Sequence, residues 1–166
     1  MLFRSNDTLN TSTTSINRKF SIDKTDPVAV FGQDPIDNYN YTNIGGETGQ
    51  GTQMTFEFKC YDNQAVSTIQ LWTNTTGTWH ANYTDSNYIN NSWENITISG
   101  IPDAMNYKWY IFCNDSVSHT NKSQNRTFNV DTLNPVVIID SPANNSYFKS
   151  APSINGSCSY STSGVY

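Results

Sequence analysis

NYKWYIFC, residues 106–113, decides the fold. Read with a period of two, it sets Tyr107, Trp109, Ile111 and Cys113 on one face. MTFEFKCY, residues 54–61, does the same with Met54, Phe56, Phe58 and Cys60, leaving Thr55, Glu57 and Lys59 on the other. Strict alternation of this kind marks a strand with one face buried. Working outward, runs rich in Val, Ile, Thr, Tyr and Phe recur at 27–31, 66–72, 77–84, 92–99 and 126–130. Clusters of Asn, Asp, Gly and Pro separate them, among them the glycine-rich loop IGGETGQG at 44–51. No window carries an apolar stripe at helical spacing. The expectation is an all-β chain, with seven short strands making a β-sandwich. Its core is Phe56, Phe58, Ile69, Leu71, Tyr107, Trp109 and Ile111. In VSTIQLW (66–72), Trp72 falls in phase with Gln70 and Thr68, so it belongs on the outer face.

The chain repeats itself. FSIDKTDP (20–27) returns as FNVDTLNP (128–135), with Phe, Asp and Pro at the same offset of 108 residues. Upstream, SINRKF (15–20) matches SQNRTF (123–128), and downstream PVAVF (27–31) matches PVVII (135–139). DPIDN (34–38) then matches SPANN (141–145) with one residue fewer. A period of this size suits one small β domain. The repeated phrase reads as a joint between modules. Residues 25–132 are then a complete module, 1–24 the last strands of a preceding one and 133–166 the first strands of a following one.

ISGIPDAMNYKWYIFC (98–113) resembles the corner and central strand of immunoglobulin-like and fibronectin type III-like modules, with Ile101 six residues before Tyr107. The junction at 130–148 resembles the joints of tandem immunoglobulin-like repeats in archaeal and bacterial cell-surface proteins. The resemblance implies a disulfide between Cys60 and Cys113, the positions of the two inter-sheet cysteines of immunoglobulin domains. It leaves Cys158, the counterpart of Cys60, unpaired in this chain. It also implies that the partners are neighbouring modules of the same chain.

Only 14% of residues are charged and the net charge is −5. With no basic stripe, nucleic acid and anionic membranes are unsuitable partners. No apolar run is long enough to span a bilayer, and MLFRSNDT, at the start, has no signal-peptide apolar region. Twelve N-x-[ST] sequons among 22 asparagines favour an N-glycosylated extracellular protein. The leading acceptors are Asn40, Asn74, Asn82, Asn90, Asn121, Asn125 and Asn144, whereas Asn95 inside a strand and Asn114 beside Cys113 are hindered. An exported composition without a leader reads as a segment of a larger surface protein.

Trp79, Tyr83, Tyr88 and Trp93 crowd one half of the module and are the candidate ligand aromatics, although cross-strand pairing on a sheet face also accounts for them. Asp23, Asp26 and Asp131 stand at the joints, where they read as turn-formers before proline rather than calcium ligands. With two histidines and no CxxC pair, no metal or other cofactor is expected. No nucleophile elbow, zincin motif or phosphate loop occurs, so no catalytic residue is assigned. The function expected is that of a non-catalytic spacer in a surface layer, stalk or adhesin shaft. The rival readings are an adhesion module for glycans or other surface proteins, and an accessory domain of a secreted hydrolase.

Overall fold

The computed structural model describes residues 4–6, 12–14, 18–42 and 52–159. Among them it is all-β, with no helix. The strands in chain order are β1 (Arg4–Asn6), β2 (Ser12–Thr14), β3 (Val28–Phe31), β4 (Tyr39–Tyr41), β5 (Thr52–Tyr61), β6 (Val66–Thr73), β7 (His80–Asp85), β8 (Glu94–Ile101), β9 (Ala104–Asp115), β10 (Thr120–Lys122), β11 (Arg126–Val130), β12 (Val136–Ser141) and β13 (Asn155–Ser159). Each of the seven expected runs contains a strand. β4 and β10, of three residues each, are additional. The glycine-rich loop at 44–51 and the tail beyond Ser159 lie outside the described residues.

Two sheets carry the module. One runs β3-β5-β8; the other runs β4-β11-β9-β6-β7, with β10 added on β9. β3 and β4 lie in different sheets, so the chain crosses over between Phe31 and Tyr39. There Asn38 takes a left-handed conformation (φ 59°), which asparagine tolerates better than most residues. Arg126 spans the crossing: its guanidinium donates to the Gly32 carbonyl at 3.0 Å and lies 4.2 Å from the centre of the Phe31 ring. β4 then pairs parallel with β11, Tyr39 opposite Phe128.

The inner faces meet in one core. Phe56, Phe58 and Cys60 from β5 face Trp109, Ile111 and Cys113 from β9, and Ile69, Leu71, Phe128 and Val130 fill the flanks. Trp109 is fully buried, with Phe31 and Phe56 edge-on at 4.8 and 5.2 Å. Such T-shaped contacts set positive ring edges against negative ring faces. Its indole N–H is buried without a hydrogen-bond partner. Trp72 lies on the outer face, its ring parallel to that of Tyr110. The Tyr107 hydroxyl donates to the carbonyl of Pro102 at 3.0 Å and fixes the turn between β8 and β9. A disulfide joins Cys60 to Cys113 and so ties β5 to β9 across the sandwich, while Cys158 is free and exposed.

Pairings recur along the chain. β1 and β2 pair with Ser5 opposite Thr13; β9 and β10 pair with Cys113 opposite Asn121, 108 residues on in both strands. β3 and β5 set Ala29 opposite Cys60, and β12 and β13 set Val137 opposite Cys158, 108 residues on in the first strand and 98 in the second. Asn145, the counterpart of Asn38, is also left-handed (φ 62°). Asp23 Oδ1 accepts the N–H of Thr25, and Asp131 Oδ1 that of Leu133.

Truncating Trp109 to alanine removes the ring that both sheets contact. The variant should lose about 3–5 kcal/mol of unfolding free energy in urea melts. Replacing Cys60 and Cys113 together by alanine should cost about 4 kcal/mol, because the bridge closes a loop of 53 residues.

Candidate functional site

The four aromatics singled out from the sequence do not converge. Tyr88 is buried rather than exposed, which corrects its assignment as a ligand aromatic. Its hydroxyl accepts the N–H of Cys60 at 3.1 Å and faces the carbonyls of Cys60 (3.0 Å) and Ser92. It therefore holds the segment before β8 against the end of β5. Tyr83 is only partly buried, but its ring packs against the core rather than facing solvent. On β7 it lies opposite Leu71, whose side chain points into the core, so the ring turns inward against Phe58. Its hydroxyl donates to Glu94 at 3.1 Å. Trp79 and Trp93 are 41% and 44% exposed, but they attend different sheets. Trp93 lies 4.8 Å from the Lys59 ammonium of β5, and Trp79 packs against Tyr110 of β9.

A different aromatic group forms on the outer face of the larger sheet. Trp72 and Tyr110 are opposite one another on β6 and β9. Their rings are parallel within 6° at 5.8 Å, and Trp79 closes in at 5.0 Å from Tyr110. The Lys122 ammonium sits 3.8 Å from the centre of the Tyr110 ring. The Trp72 indole donates to Gln70 at 2.9 Å. A cation over an aromatic face and a stacked neighbour satisfy much of what these rings offer. Alternation placed Trp72 outside, but β10, which supplies Lys122, is too short to announce itself.

Several sequon amides are already engaged. The Asn90 amide donates to the Asp62 carbonyl at 2.8 Å, and the Asn121 amide to that of Pro27 at 2.8 Å. Asn82 binds Thr73 and His80, and Asn74 accepts the N–H of Lys108. Asn40 accepts the Asn129 amide at 2.5 Å. Asn125 and Asn144 are exposed in loops. Asn95 is exposed on β8, at the edge of its sheet, so its strand position does not hinder it as expected. Asn114 has a buried side-chain oxygen.

The segment before β3 meets the turn between β9 and β10. Asp115 is buried, and its Oδ1 accepts the N–H groups of Val117 and His119, each at 2.8 Å. Its Oδ2 pairs with His119 Nδ1 at 2.9 Å. Burial opposes the charge on Asp115, but these donors outweigh it and hold the carboxyl below its ordinary range. The same bond raises His119 above the usual histidine value. Asp23 approaches this pair, and its carboxyl is lowered by the hydroxyl and N–H of Thr25. The cluster joins residues 92 positions apart, Asp23 and Asp115, so no local motif marks it.

No protein-family model matches the chain, and searches of characterised proteins and of solved structures give no match.

Two outcomes test the roles of the misassigned tyrosines. Tyr88→Phe should destabilise the module by about 1–3 kcal/mol, because the buried N–H of Cys60 loses its acceptor. Burial, then the neighbouring Glu94 carboxylate, pushes the Tyr83 hydroxyl up to about 12. The fold favours the neutral phenol, so this contribution is complete below pH 10, the ordinary tyrosine value, and is lost as pH rises towards 12. Tyrosinate absorbance should show a late-titrating group that Tyr83→Phe removes.

Proposed function

We propose that this chain belongs to a tandem array of immunoglobulin-like modules on a cell-surface protein, and that it acts as a non-catalytic, N-glycosylated spacer. The observation that carries the reading is the recurrence of pairing register. β1–β2 repeats β9–β10 at the offset of the sequence repeat, and β12–β13 repeats the register of β3–β5, with ten residues fewer between the paired positions. The two aspartate turns, at Asp23 and Asp131, recur with them. A module running from 25 to 132, with partial modules on either side, accounts for all of these at once. The buried corner tyrosine and the bridge between Cys60 and Cys113 support the immunoglobulin-like assignment. The disulfide also favours an oxidising, extracellular setting.

The joints favour stiffness. Pro27 and Pro135 fix φ and bias Asp26 and Asn134 to extended geometry. The Asn121 amide, by binding the Pro27 carbonyl, anchors the joint to the body of the module. The neighbouring modules are therefore the principal partners. The outer-face group of Trp72, Tyr110 and Trp79 favours the second reading, an adhesion module for glycans or other surface proteins.

Chains of one, two and three copies of residues 25–132, fused at the natural period, test the spacer. Small-angle scattering should give elongated particles that lengthen by a constant increment per copy. Glycan arrays should show no saturable binding, and peptide mapping of the exported chain should find sugar at Asn125 and Asn144. Compact particles, or saturable binding abolished by Trp79→Ala, would replace the spacer with the adhesion module.

A further inference from the structure

Two carboxylates converge on one imidazole at the first joint, and each is tied back by donors on its own side. Asp115 Oδ1 is held by two backbone N–H groups, and Asp23 Oδ1 by the N–H and hydroxyl of Thr25 at 3.1 and 2.8 Å. Anchoring one oxygen in this way orients the other, as the outer shell of a metal site does. A carboxylate oxygen from each aspartate and a ring nitrogen of His119 lie within 4.8 Å of one another. Asp115 Oδ2 and His119 Nδ1 are 2.9 Å apart. That is the edge of a coordination octahedron for a cation with ligands at about 2.1 Å.

An independent observation points to a ligand. Asp23 Oδ2 is closed to solvent and has no hydrogen-bond partner. A carboxylate oxygen cut off from water and from donors is costly, and a bound cation removes that cost. The sequence argued against metal because the joint aspartates read as turn-formers and only two histidines are present. Here the donors come from two segments.

We propose that Asp23, Asp115 and His119 form a divalent-cation site that pins the joint to the β9–β10 turn. The imidazole selects the class. An O,O,N donor set suits zinc or manganese better than calcium or magnesium, which favour all-oxygen shells. Two carboxylates balance the double positive charge, and water completes the shell. Because Asp23 belongs to the joint and the other two residues to the module, the ion binds only when the two are docked. Occupancy therefore stiffens the joint and stabilises the folded chain.

The test uses the untagged, metal-stripped chain. Zn²⁺ and Mn²⁺ are titrated by calorimetry, with Ca²⁺ and Mg²⁺ for comparison, while the ring nitrogens of His80 and His119 are followed by NMR. One saturable site for Zn²⁺ or Mn²⁺ is expected, with a shift at His119 and none at His80. His119→Gln and Asp23→Asn should each weaken binding about tenfold or more, and His80→Gln should leave it unchanged. The His119 side chain is 35% exposed, so His119→Gln should keep the fold, which circular dichroism checks. Absence of saturable binding below millimolar concentration overturns the site. So does affinity that survives both substitutions, or that falls equally with His80→Gln. The site needs only the joint and the turn, so its failure is separable from that of the array reading, which scattering tests.

Discussion

The module depends on β5 meeting β9 across the gap between the sheets. Phe56 presents its ring to Trp109, and four residues further along each strand Cys60 is bonded to Cys113. The two ties reinforce each other. The aromatic contact excludes water and sets the spacing of the sheets, while the covalent bond limits how far they separate in the unfolded chain. β6 and β11 then align on β9, and β3 and β8 on β5. Charge has a small part in this, since only 14% of the residues carry it. Neutral hydrogen bonds from Asn, Thr and Tyr hold the periphery. Examples are the Thr55–Thr97 pair at 2.9 Å and the Asn129–Asn40 amide pair.

How much of this was legible in the sequence follows from the range of each interaction. Alternation is local, so MTFEFKCY and NYKWYIFC declared their buried faces, and the phase of Trp72 declared its exposure. β4 and β10 escaped because three residues cannot establish a period; they exist only because β11 and β9 offer them edges. Tyr88 looked like a surface aromatic among Asn and Ser, and only the distant backbone of Cys60 makes it a core residue. Tyr83 was misjudged because a register irregularity between Leu71 and Trp72 shifts the phase of β7 against β6. The joint cluster was hidden more deeply, since Asp23 and His119 are brought together by tertiary docking alone.

The distribution of polar chemistry separates the two regions that invite functional reading. On the outer face, Trp72, Tyr110 and Lys122 satisfy one another, which is how a sheet surface in water protects its large rings. At the joint the opposite holds, for Asp23 keeps a shielded oxygen with nothing bound to it.

The parallel pairing of β4 with β11 has a consequence for the order of events during synthesis. Its partners are 89 residues apart, as with Asn40 and Asn129, and β11 is the last strand of the module to be made. Until Phe128 arrives, Tyr41, Phe56 and Tyr107 lack the ring they share. Until Arg126 arrives, the crossing at Gly32 lacks its brace. A nascent chain therefore holds an open sandwich until β11 is made, and long-range closure of this kind is slow. Completion coincides with emergence of the segment that leads into β12. The exposed apolar residues Val136, Val137, Ile138 and Ile139 emerge only after β11, so they are absent while the earlier strands find their partners.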